Sequence, residues 1–313
     1  MAKVAFKLGD SYGKEKRGYL ASSRIRGHWV AKYWNQADDI FYKEEFPTFK
    51  DNFFDTKTQL HLLRDYDVVI INKTYEHALA GELLKQGKKV IVDLCDPDWL
   101  LSHSSVQRSN DCLKTLKNAT CAVVNGEEMK EELKKVFNKP IYIIPDRMDF
   151  NSYPVRKEKH RDKIKSLVWY GYNENLRVLE PYLTGILEMD YEITIISDKF
   201  FEGTPIITSK DPSKYITFKV WHPETVNEQI IKHDIVFIGH DPDPDLRKWK
   251  SNNRALTGYA LGMPVAYTLE DLMKLKTKES RIIDVKRNYQ LAREQFDVRR
   301  SVDDYKKIIK EIL

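Results

Sequence analysis

No apolar run in the 313-residue sequence approaches the roughly 18 residues that a bilayer-crossing helix requires, so no transmembrane segment is expected. The first twenty residues, MAKVAFKLGDSYGKEKRGYL, lack an uninterrupted apolar core because charges recur every few positions. A secretory leader is therefore not expected, and a cytoplasmic location is. Cysteine is scarce: Cys95, Cys112 and Cys121 share no metal-ligand spacing and cannot all pair. They read as reduced core or subsurface thiols, with no metal expected. Short-period repeats and low-complexity tracts are absent, and the net charge is only +5.

What is present supports a large folded core: 42% hydrophobic residues, 32% charged residues, and a length that suits two domains of about 150 residues each. The charge is unevenly spread. Residues 1–30 carry seven Lys/Arg against two acids, and residues 156–165 carry six against two. Such an N-terminal lobe suits an anionic partner (phosphates, nucleic acid or an anionic membrane surface), and equally a solvated lysine-rich face.

Short β-branched runs alternate with amphipathic stretches, the pattern of parallel sheets with helices on both faces. Strands are expected at 3–8, 68–71, 89–94, 119–124 and 141–144, with helices at 25–34 and 75–86. Asn125 is expected to cap a further helix, with Glu128 as its capping-box partner. The charged, proline-containing stretch PDRMDFNSYPVRKEKHRDK then breaks the alternation, as an interdomain linker does. Strands resume at 166–170, 191–196, 216–220, 234–238 and 264–267; Leu176, Leu179, Leu183 and Ile186 share a helical face, and 302–313 forms a basic amphipathic helix. The expected fold is α/β, two tandem Rossmann-like domains facing a cleft. Residues 1–152 form the acceptor-side domain, 153–165 the linker, 166–290 the nucleotide-sugar domain, and 291–313 a helical segment returning to the first domain. Ligands of such sheets sit at the carboxyl ends of the strands.

The segment KSNNRALTGYALGMPV, residues 250–265, opens with polar and cationic residues, continues as a small-residue helix and ends at Gly262 and Pro264 before a strand. A helix start of this kind offers unpaired N–H groups and a positive dipole end to a diphosphate, and Arg254 adds a charge-assisted contact. A helix that merely packs small residues on the sheet is the plainer reading. The segment resembles the donor-binding signature of GT-B glycosyltransferases related to the large retaining family. SLVWYG at 166–171, the unit ending in IIPDRMD, and SSRIRG at 22–27 are similar to further parts of that family, in the same order.

The resemblance implies a nucleotide-sugar cosubstrate, most simply a UDP-sugar, with no permanently bound cofactor. It places Gly171 and Asn173 at the donor phosphates, Trp221 and His222 at the base, and Lys250, Ser251, Asn253 and Arg254 at the diphosphate. Thr257 stands where many members carry a ribose-gripping glutamate, and the Arg/Lys pair usual after the glycine turn is missing. These departures leave open a non-catalytic nucleotide-sugar-binding protein. The alternating acids Asp241, Asp243 and Asp245 lack the glycine and glutamate of a calcium loop and read as a proline-stiffened surface loop.

Asp96, in DLCDPDW after a strand, can orient an acceptor hydroxyl or act as a base, and His28 is a second catalytic candidate. Retention of anomeric configuration is the expected outcome. Lys16, Arg17, Arg24 and Arg26 form an aromatic-interleaved basic run suited to an acceptor with phosphates. The acceptor is then a glycan or lipid-linked saccharide, or a hydroxymethylated DNA base as in phage DNA-modifying members of the fold, reached by flipping. A lid over the donor diphosphate is the alternative role of the basic run.

Overall fold

The runs VVIIN, KVIVDL and CAVV carry apolar residues on both faces, which stabilises a strand only where both faces are covered. The computed structural model describes residues 2–8, 20–35, 55–199 and 211–313. In chain order they form β1 (Val4–Leu8), α1 (Ala21–Ser23), α2 (Trp29–Asn35), α3 (Thr56–Leu63), β2 (Val68–Asn72), α4 (His77–Lys85), β3 (Lys89–Leu94), α5 (Val106–Lys117), β4 (Cys121–Val124), α6 (Glu127–Leu133) and β5 (Ile141–Ile143). There follow β6 (Ser166–Tyr170), α7 (Glu180–Glu188), β7 (Glu192–Ser197), β8 (Ile216–Val220), α8 (Val226–Ile230), β9 (Ile235–Phe237), α9 (Pro244–Trp249), α10 (Asn253–Ala260), β10 (Val265–Ala266), α11 (Leu269–Lys274), α12 (Lys278–Gln295) and α13 (Arg299–Ile312).

The chain divides into two compact units. The first comprises residues 1–149, 249–251 and 297–313, and the second residues 150–248 and 252–296. In the first unit the strands lie in the order β1-β2-β3-β4-β5, all parallel, with Val69 beside Val90 and Asp93 beside Val123. Leu63, Leu79, Leu83, Leu116 and Leu133 from α3 to α6 pack on Val69, Val92 and Val124 on one face. Each such side chain contributes roughly 1.5–3 kcal/mol by leaving water. On the other face the rings of Phe6, Trp34 and Tyr305 meet, joining β1, α2 and α13. The buried stripe Val302, Tyr305, Ile308 and Ile309 holds α13 in this unit.

In the second unit the order is β10-β9-β6-β7-β8, again all parallel. Trp169, Leu183, Ile186, Ile195 and Leu272 form the core on one face, and Val168, Ile196, Ile230, Val236 and Met263 on the other. From β6 the chain winds outward through β7 and β8, then returns to the opposite side of β6 with β9. The strand order therefore reverses between β6 and β9, and a crevice opens at their carboxyl ends.

Three local expectations change. The single helix expected over 25–34 is broken by a π-helical turn at Arg24–His28, between α1 and α2. Asn125 does not cap α6: its N-cap residue is Gly126, without a side-chain bond, and the Asn125 amide donates to the Cys95 and Trp249 carbonyls. The small-residue helix expected within 250–265 is α10, starting at Asn253, and the loop expected before it carries a helix of its own, α9, which ends at Trp249. Helix α12 has no local signal: only Arg281, Val285 and Ala292 of its 18 residues are buried, so no apolar stripe marks it.

Candidate functional site

In the second unit, side chains from three strand ends converge on the start of α10. Trp169 and Tyr170 end β6, Gly239 to Asp241 follow β9, and Tyr267 follows β10. Trp169 donates its indole N–H to the Ile238 carbonyl at 3.1 Å, which fixes β6 beside β9 at the crevice. Tyr170 donates its hydroxyl to the Arg254 carbonyl at 2.5 Å, which fixes the first turn of α10 against β6. Gly239 has φ +76°, and a Cβ there would overlap the Val178 carbonyl, so only glycine lets the chain turn. His240 stacks on Tyr267 with ring centroids 5.0 Å apart.

Arg254 is the residue around which this site is built. Its guanidinium carbon lies 5.7 Å from the centroid of the Trp169 ring, and its Nη1 is buried with no hydrogen-bond partner among the described residues. Burial pulls its pKa below the ordinary arginine value, only partly opposed by Tyr170, Tyr267 and Asp241. Asp241 does not neutralise it directly, because Arg177 holds Asp241 Oδ2 at 2.9 Å. The N-cap residue of α10, Asn252, makes no side-chain capping bond, so the helix start keeps N–H groups for a ligand. A half-buried cation with an unpartnered Nη1 beside an uncapped helix start favours an anion, and a diphosphate satisfies both.

The other candidates of this unit occupy strand ends or helix starts. Gly171 follows β6, its N–H donating to the Ile196 carbonyl at 3.1 Å. Asn173 donates its backbone N–H to Asp198 at 2.8 Å, while its side-chain oxygen is buried without a partner among the described residues. Trp221 packs on the core beyond β8, and His222 is exposed. Asn253 is the first residue of α10, and Thr257, one turn further, pairs its hydroxyl with that of Tyr153 at 3.2 Å. Asp241 is buried, not the surface acid expected from its loop.

In the first unit, the three acids of DLCDPD each take a different partner, and among the described residues no His, Cys, Asp or Glu cluster is arranged for a metal. Asp93, fully buried, accepts from Arg26 at 2.6 Å and from the Tyr305 hydroxyl. Asp98 accepts from Tyr75 at 2.5 Å, Ser104 at 3.1 Å and Arg108 at 2.8 Å. Asp96 forms an ion pair with Lys73. Burial pushes the Asp96 pKa up, but the charge and hydrogen bond of Lys73 outweigh it and leave it below the usual carboxylate range. Lys250 adds to that lowering, and Lys250 and Ser251 count with this unit.

The basic run is corrected at one position. Arg26 is not a surface contact: it is 3% exposed, held by Asp93, by Asp146 at 2.8 Å and by the Ile144 carbonyl. Burial alone would lower its pKa, yet Asp93 and Asp146 raise it well above the arginine value, so the guanidinium is charged and already neutralised. Arg24 lies over the Trp29 ring at 5.6 Å, and His28 closes the π turn half-buried. Lys16 and Arg17 lie outside the described residues. Sequence reasoning missed Lys73, Tyr170, Gly239 and Tyr267. All four follow or end strands, so position alone was their available signal.

No protein-family model matches the sequence, and no curated protein matches it. Solved structures do. Anabaena Alr3699/HepE in complex with UDP-glucose superposes with a TM-score of 0.65 at 10% identity, over 99% of this chain and 100% of that one. The catalytic domain of starch synthase IV from Arabidopsis thaliana, bound to ADP and acarbose, gives 0.58 at 7% identity over 99% and 98%. AviGT4, a glycosyltransferase involved in avilamycin A biosynthesis, gives 0.57 at 10% identity over 100% and 98%. At such identities the likeness shows the fold, which is that of GT-B glycosyltransferases.

Proposed function

We propose that this chain transfers a sugar from a UDP-sugar to a hydroxyl of a saccharide acceptor, with the donor on the second unit and the acceptor on the first. The observation that carries the reading is Arg254, a half-buried cation whose buried Nη1 has no hydrogen-bond partner among the described residues, at the uncapped start of α10 beside the strand-order reversal. A nucleoside diphosphate supplies the missing charge. Asn253 opens the same helix and Lys250 and Ser251 precede it in sequence, Gly171 lets the backbone approach the phosphates, Asn173 follows it, and Trp221 and His222 serve the base. Thr257 takes the place of a ribose-gripping carboxylate. The structures solved with UDP-glucose and with ADP support a nucleotide-sugar on this fold.

In the reaction the acceptor oxygen bonds to the anomeric carbon, the bond from that carbon to the diphosphate breaks, and the acceptor proton leaves with the nucleoside diphosphate. Stabilisation of the departing charge by Arg254 and the α10 start is the catalytic contribution of the second unit. Configuration at the anomeric carbon is retained. Asp96 serves the acceptor hydroxyl, and His28 is a second candidate on the same unit. Neutralisation of Arg26 by two carboxylates favours a saccharide over a DNA acceptor.

Incubation with a panel of UDP-, ADP- and GDP-sugars, followed by detection of free nucleotide and of product stereochemistry, tests the reading. Nucleotide release with a UDP-sugar is expected, and UDP binding without turnover into any saccharide or water would leave a binding protein instead. A gel shift with hydroxymethylated DNA at low salt would restore the nucleic-acid acceptor.

A further inference from the structure

Residues at the carboxyl edge of the first unit's sheet are unequal in a way that singles out one oxygen. Asp93 and Asp98 have both carboxylate oxygens occupied by protein donors. Asp96 differs: the bonds from Lys73 and from the Cys95 thiol both end on Oδ2, and no described residue donates to Oδ1. The Asp96 side chain is 36% exposed, so Oδ1 belongs to a carboxylate that solvent reaches.

The partner is held in an uncommon way. Lys73 follows the last residue of β2 and has φ +57°, in the left-handed region that disfavours a side chain with a Cβ. Residues kept in that region persist where the surroundings enforce them, and they cluster at functional sites. Here the conformation coincides with the ion pair between the ends of β2 and β3. Next along the sheet, Asn125 after β4 bonds the Cys95 carbonyl and so fixes the segment that carries Asp96.

We propose that Lys73 is a positioning residue, holding the Asp96 carboxylate by Oδ2 so that Oδ1 takes the hydroxyl of the incoming acceptor. The proposal rests on the transferase reading above. A carboxylate offers only acceptor lone pairs, so this position selects a hydroxyl and repels a phosphate. The charged and titratable groups acting on Asp96 are Lys73, Lys250 and Cys95, and Lys73 has the largest lowering effect among them. Its charge keeps Asp96 ionised below the usual carboxylate range, so Asp96 orders the hydroxyl without keeping its proton.

The test is release of UDP from UDP-glucose to any hydroxyl, water included, by the full chain and by Lys73→Gly, Lys73→Arg and Asp96→Asn. Lys73→Gly removes the charge and also the left-handed strain. It is expected to lower kcat about tenfold to a hundredfold, with KM for UDP-glucose and UDP affinity within about twofold. Its melting temperature stays equal or rises, and the acid limb of its pH profile moves to higher pH. Lys73→Arg recovers most of the turnover, and Asp96→Asn loses it. A purely structural lysine would lower melting temperature and UDP affinity together. That pattern, or turnover within about threefold of the parent, overturns the proposal. Absence of both UDP binding and UDP release in the unaltered chain overturns the transferase reading instead.

Discussion

Replacing Arg254 with methionine should make the empty protein more stable and the nucleotide-bound protein less so. In the empty state the guanidinium carries a buried Nη1 with no partner. Leaving a buried charged donor unsatisfied costs about 1–3 kcal/mol or more. Against this stands the contact with the Trp169 ring at 5.7 Å, which contributes about 0.5–1 kcal/mol. Methionine keeps the apolar stem and removes the charge, so a net gain of about 1–2 kcal/mol is expected, or roughly 3–6 °C in the transition of the second unit. With UDP present the balance reverses. Charge-assisted bonds to a diphosphate contribute about 1.5–3 kcal/mol, and their loss raises Kd about 10- to 150-fold. At a UDP concentration about 1,000 times the parent Kd, binding stabilises the parent by about 4.1 kcal/mol. A variant binding about 100-fold more weakly gains only about 1.4 kcal/mol. Calorimetric melts with and without UDP therefore cross. A variant that melts below the parent without UDP, or that keeps the full UDP shift, refutes the assignment.

The remaining expectations concern the framework of the two units. His233 is buried with both ring nitrogens unpartnered among the described residues, and burial together with Lys219 pushes its pKa down to about 4. A depressed folded pKa means stability is intact above the unfolded value near 6.5 and is lost as pH falls toward about 4, by up to about 3 kcal/mol. His233→Leu should flatten that acid limb in urea titrations between pH 7 and 4; an unchanged slope argues against it. Gly239→Ala should cost at least about 2–4 kcal/mol, because φ is +76° and the Cβ meets the Val178 carbonyl. Gly87→Ala, at φ +77° with nothing within 4 Å, should cost only about 1 kcal/mol. Equal shifts in denaturation midpoint for the two would remove the steric argument.

Both sheets were legible in sequence because β-branched runs such as VVIIN and SLVWY encode buried strands locally. Arg254 was legible for the same kind of reason, since a polar, small-residue helix start before Gly262 and Pro264 is a local pattern. Its lack of a partner was not, because that depends on Arg177 having already taken Asp241. Arg26 shows the opposite failure. Its neighbours in sequence are basic and aromatic, and nothing local signals that Asp93 and Asp146 wait 67 and 120 residues away.

The sequence by itself determined where the strands and several of the helices lie, because hydrophobic period and turn residues act over a few positions. The tertiary structure alone decided which charges remain available. Arg26 is consumed by two buried carboxylates, Asn125 is diverted from its helix to the Cys95 and Trp249 carbonyls, and Lys73 is fixed in a left-handed turn against Asp96. Such pairings join residues far apart in the chain, and a charge is free or spent according to what folding brings beside it.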